Sequence, residues 1–124
     1  MKAATAVTWH RICNRADLVA GSGVCALVNG AQVAIFYLPD APRRLYAIGN
    51  RDPIGKANVL YRGLVADIGG EITVASPLYK QHFSLVSGAC REQPGIGVPV
   101  YEVALDGDAQ ALLEELYGRY GYEL

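Results

Sequence analysis

Metal-binding and acid–base side chains are scarce in this chain. Two histidines and three cysteines occur among 124 residues. They form no C-x-x-C, H-x-x-x-H or H-E-x-x-H spacing, which removes the common zinc patterns. A histidine base beside a nucleophile is almost out of stock for the same reason. Cys13, Cys25 and Cys90 are odd in number and scattered. Such a set suits a reducing compartment; no disulfide is expected, and each is read as a small buried hydrophobe. An excess of one charge is missing too. Eleven basic against twelve acidic residues leave a net charge of -1, no broad field for nucleic acid or an anionic membrane. No run of about 18 uncharged apolar residues occurs, so no membrane span is expected. The first nine residues carry one lysine and no apolar run long enough for a signal core,. The expectation is a soluble, cytoplasmic protein. With no repeat, low-complexity tract or polar linker, a single domain over residues 1–124 is expected.

What is present is a globular composition, 52% hydrophobic with 14 Gly and 8 Tyr,. Short apolar stretches alternate with Gly, Pro, Asn and Asp. Residues 8–13 (TWHRIC) read as a strand. Residues 24–28 (VCALV) and 32–37 (QVAIFY) flank Asn29-Gly30, and that pair favours positive φ at both turn positions, hence a type I′ hairpin. Further strands are expected over 44–48, 59–64, 71–75, 82–86 and 98–105. Residues 50–55 (NRDPIG) read as a loop. Many short strands at this spacing indicate a small antiparallel sandwich or barrel. The tail changes period: Ala109, Leu112, Leu113, Leu116, Tyr117 and Tyr120 fall at helical spacing, with Asp108 as N-cap,. A short C-terminal helix over 109–120 is expected, and a strand over its first residues is the competing reading.

No complete active site can be assembled. Gly21-Ser22-Gly23 and Gly69-Gly70 lack the lysine of a P-loop and read as turns. Glu114-Glu115 and Asp106/Asp108 are solvated or capping carboxylates. His10 alternates with Trp9 and Arg11 on a strand, and His82 enters another strand without partners that the sequence identifies.

Two segments carry a resemblance. Ser76-Pro77-Leu78-Tyr79-Lys80-Gln81-His82-Phe83, closed by Gly88, resembles the second cluster box of Rieske ferredoxins, Cys-Pro-x-His-Gly-x-x-Phe. Residues 45–55 (LYAIGNRDPIG) resemble the strand and loop of the first box, Cys-x-His. The alignment places the four ligands of a Rieske cluster at Asp52, Ile54, Ser76 and Tyr79. Two thiolates and two imidazoles are needed there. Isoleucine has no donor atom, and Ser and Tyr hold their protons tightly at neutral pH. The resemblance thus implies a kept all-β, Rieske-like fold and vacated ligand positions.

That form is similar to the small subunit of assimilatory NAD(P)H-dependent nitrite reductase. Asn50-Arg51-Asp52-Pro53, residues 58–63 (NVLYRG), 76–83 (SPLYKQHF), Trp9, residues 33–36 (VAIF) and Cys90-Arg91-Glu92 carry the likeness over 8–105. The tail after Gly107 does not fit the family's final strand. The resemblance implies a cytoplasmic complex that reduces nitrite to ammonium, with FAD, a [4Fe–4S] cluster and sirohaem on the large catalytic subunit. No cofactor is expected on this chain, whose role would be structural, docking or regulatory. Loops on a rigid scaffold commonly carry binding, so Asp52, Arg62, Lys80 and His82 are the candidate partner contacts. Two alternatives stand beside it: a true Rieske electron carrier, and a Rieske-like interaction module of another oxidoreductase.

Overall fold

The computed structural model describes residues 9–105 and 110–114. The strands are β1 (Trp9–Asn14), β2 (Ser22–Val28), β3 (Ala31–Tyr37), β4 (Leu45–Gly49), β5 (Arg51–Asp52) and β6 (Ala57–Asn58). They continue with β7 (Leu64–Ile68), β8 (Glu71–Ala75), β9 (His82–Ser84), β10 (Val100–Leu105) and β11 (Gln110–Glu114). A six-stranded sheet runs β1-β11-β10-β4-β3-β2, a three-stranded sheet β7-β8-β9, and β5 pairs with β6. Every ladder is antiparallel. The all-β expectation holds.

The period of two along β3 and β4 builds both cores. Ala34, Phe36, Tyr46 and Ile48 face one way and pack with Val74 and Phe83 of the small sheet. Val33, Ile35, Leu45 and Ala47 face the other way and pack with Tyr101 and Val103 of β10. These central strands are therefore buried on both faces, which explains their nearly unbroken apolar sequence. Asn29 and Gly30 sit at φ 49 and 83, the two left-handed residues the hairpin reading required.

Three expectations change. Residues 110–114 are a strand, not the start of a helix. The segment lies between β1 and β10, pairing Leu113 with His10 and with Val103. Backbone groups on both neighbours would otherwise lack partners, and ladder hydrogen bonding outweighs the weak local period of QALLE. The rest of the expected helix, residue 109 and residues 115–120, lies outside the described residues. Residues 60–62 form a 3-10 turn, and the strand begins only at Leu64. There the N–H groups of Leu60 and Tyr61 donate to the main-chain and side-chain oxygens of Asn50, leaving none for a ladder. Finally, β9 stops at Ser84 because its hydroxyl accepts from Val86 and Ser87 N–H and turns the chain.

Candidate functional site

The two loops singled out by sequence meet at one end of this scaffold, and they are built alike. Asp52-Pro53-Ile54-Gly55-Lys56 begins on the last residue of β5, and Ser76-Pro77-Leu78-Tyr79-Lys80 follows β8. In each, the N–H of the closing lysine donates to the carbonyl four residues back: Lys56 to Asp52 at 2.7 Å, Lys80 to Ser76 at 3.1 Å. Both lysines are thereby held in left-handed backbone, φ 59 and 64. The proline at the second position sets the entry angle in both.

The opening residues of the two loops join them. Ser76 Oγ donates to Asp52 Oδ2 at 2.5 Å, a fully buried contact. The other carboxylate oxygen of Asp52 accepts from Ile54 N–H at 2.8 Å and Gly55 N–H at 3.0 Å. Leu78 N–H donates to Ser76 Oγ at 3.2 Å. A Cβ at Gly55 would collide with the Leu78 side chain, so glycine lets the loops close on each other. The buried carboxylate is thus satisfied by hydrogen bonds rather than by a cation, the condition under which such a charge is tolerated inside.

Sequence-predicted residues separate into distinct environments. Asp52, expected as a partner contact, is fully buried, so its carboxylate faces its own loop and Ser76 rather than solvent. Ile54 packs against the core. Tyr79 points outward, 65% exposed, and Lys80 is exposed with its Nζ near the Pro77 carbonyl. Arg62 lies over the Tyr61 ring, 5.9 Å from its centroid. His82 is half-buried and engaged: its ring Nδ1 lies 2.6 Å from Glu92 Oε2, and its N–H donates to Glu92 Oε1 at 2.8 Å. Burial raises the Glu92 pKa, but the backbone and ring hydrogen bonds of His82 and its charge outweigh that and hold the carboxyl below its usual value,.

Asn50 is the residue that sequence reasoning passed over as a turn former. Fully buried, it bonds Gln32 Oε1 at 3.0 Å and accepts from Tyr61 N–H at 2.8 Å, fixing the first loop to β3. The cysteines lie outside both loops in sequence, although Asn50 Nδ2 donates to Cys25 Sγ at 3.5 Å. Cys90 is buried as expected, Cys13 is half-buried, and Cys25, read as buried, is exposed on β2. Burial pushes the Cys13 and Cys25 thiols up, with the charge of Asp17 adding at Cys13, so neither is poised as a thiolate.

This loop pair on a β scaffold agrees with what the chain is similar to. Residues 8–112 match the Rieske-like [2Fe-2S] domain family. The chain is 47% identical over 103 residues to the nitrite reductase (NADH) small subunit of Salmonella typhimurium, covering 82% of this chain and 94% of that one. It belongs to the nitrite reductase small-subunit family. The match reaches beyond Gly107 into β11, past the span over which the likeness was read from sequence. An NADH-dependent nitrite reductase small subunit from Mycobacterium tuberculosis superposes with a TM-score of 0.83 at 36% identity, covering 90% of this chain and 98% of that one. An 80-residue stretch is also 41% identical to the nitrite reductase [NAD(P)H] large subunit of Klebsiella oxytoca, 64% of this chain but 8% of that one. A small-subunit-like segment therefore occurs within a much longer chain.

The cluster that the Rieske-like family implies does not fit these side chains. Asp52 and Ser76 are spent on each other and on loop N–H groups, Ile54 has no donor, and Tyr79 faces outward. The iron pair would need two sulfurs and two imidazoles at these places. Among the described residues, no three His, Cys, Asp or Glu side chains come together as a metal site.

Proposed function

We propose that this chain serves a cytoplasmic NADH-dependent nitrite reductase as a cofactor-free small subunit that acts by contact with the large catalytic subunit. The observation that carries the contact role is the Asp52–Ser76 hydrogen bond. In this reading it ties together two of the positions that the resemblance gives to cluster ligands, and contact is the role left to the loop tips. Leu78 and Tyr79 are exposed there, 43% and 65%, beside Lys80 and not far along the chain from His82. An exposed leucine and tyrosine beside a lysine at a loop tip suit a contact site. The Klebsiella large subunit that holds a segment like this one supports the pairing of the two proteins. FAD, a [4Fe–4S] cluster and sirohaem belong, in this reading, to the large subunit. Arg62, Lys80 and His82 contact it directly, and Asp52 positions the loop beneath them.

The test is NADH-dependent nitrite reduction by the purified large subunit with and without this chain. The expected result is a lower rate or a less stable large subunit on omission. Unchanged rate, stability and assembly would sink the reading, as would stoichiometric iron and labile sulfide in the purified small chain. Lys80→Glu should weaken association by about tenfold, chiefly through faster dissociation.

A further inference from the structure

A second feature lies on the flank of the first loop. A groove of about 560 Å3 runs between that loop and the segment before β10. Pro53, Val98 and Pro99 supply an apolar floor, while Arg51, Lys56 and Asn58 stand along it. No carboxylate lines it. Among the described residues neither Arg51 nor Lys56 has an acidic partner, the ion pairs being Arg43–Glu102, His82–Glu92 and Arg91–Glu71. The chain as a whole is slightly acidic, yet residues 50–64 and 76–81 hold Arg51, Lys56, Arg62 and Lys80 against Asp52 alone, and Asp52 is buried. Within these two stretches, therefore, every exposed charged side chain is basic.

The backbone at Lys56 adds to the case. Its φ of 59 is a conformation in which glycine is cheaper than lysine,. A side chain kept at a strained position invites a role for that side chain. A small free anion would meet two solvent-screened cations and gain nothing from the apolar floor. An extended peptide would use both, setting apolar side chains on Pro53, Val98 and Pro99 and carboxylates on Arg51 and Lys56.

We propose that this groove binds an extended acidic segment of the large subunit, with Arg51 and Lys56 pairing its carboxylates. The proposal rests on the subunit reading above and names a second contact, separate from the loop tips. The test measures association of the purified large subunit with the full small chain, by biolayer interferometry across a salt series. Arg51→Gln combined with Lys56→Gln should weaken binding about tenfold and flatten the salt dependence. Lys56→Gly should weaken binding too while keeping or raising the melting temperature, because glycine relieves the left-handed backbone. Arg43→Gln, outside the groove, should leave affinity unchanged.

Wild-type binding that the double variant leaves intact would overturn the groove proposal while the subunit reading stands, with Lys80→Glu still weakening association. Self-association of the small chain, abolished by the same double variant, would assign the groove to a second copy and overturn it as well. Absence of any wild-type association would sink the subunit reading, and the occupant of the groove with it.

Discussion

Ser76 donates its hydroxyl to a carboxylate oxygen of Asp52 although the two are 24 positions apart in sequence. Neither side chain reaches solvent. One acid and one alcohol therefore fix the spacing of two loops.

Asp52→Ala should be among the costlier single changes. It strips the partner from Ser76 Oγ and from the N–H groups of Ile54 and Gly55. Unsatisfied buried donors cost about 1–3 kcal/mol each where no water enters, so a loss of about 3 kcal/mol is expected by urea unfolding. Ser76→Ala should cost about 1–2 kcal/mol by the same measure. The double variant should lose less than the sum, because the two share one hydrogen bond. Strict additivity would show that the pair does not interact in solution.

The His82–Glu92 pair sets an acid limit. Glu92 has a folded pKa below its ordinary value of 4.5. A depressed carboxyl contributes stability above the unfolded pKa and loses it as pH falls through the folded one. Wild type should therefore exceed Glu92→Gln in melting temperature at about pH 6, and the gap should close as pH drops below about 4.5. The carboxylate is substantially exposed, so the gap will be small. A gap that widens on acidification would contradict the assignment.

Gly88 and Lys80 make an instructive contrast, both being left-handed, at φ 81 and 64. A Cβ at Gly88 would strike the carbonyl of Val98, whose own N–H donates to Gly88 O at 2.9 Å. Gly88→Ala should lose about 2–4 kcal/mol, combining backbone strain with a clash that has nowhere to relax. Lys80→Gly should instead be neutral or gain about 0.5–1 kcal/mol. Thermal melts of both variants check the pair of signs.

Tyr79 offers the cleanest separation of fold from contact. Its ring is 65% exposed, so Tyr79→Ser should change stability by no more than about 0.5 kcal/mol. Loss of an aromatic anchor from an interface typically costs more than 1 kcal/mol of binding, which would weaken association with the large subunit by about fivefold or more. Equal affinity for both forms would move the contact away from this loop.

Features that depend on a few neighbouring residues, or on side-chain chemistry alone, are legible in the chain before it folds. Asn29-Gly30 dictates its hairpin because its two residues tolerate left-handed backbone,. The alternation along β3 and β4 dictates two buried faces. The mismatch with an iron cluster was legible because no fold gives isoleucine a donor atom. The remaining features depend on packing between distant segments. Residues 110–114 suit a helix or a strand locally, and only the open flanks of β1 and β10 choose between them. The partnership of Asp52 with Ser76, the pairing of His82 with Glu92, and the gathering of Arg51 and Lys56 along one groove depend on loops far apart in the chain. Local preference acts over a turn or two of backbone, whereas a hydrogen bond between distant loops exists only once the sheets have set the distance between them.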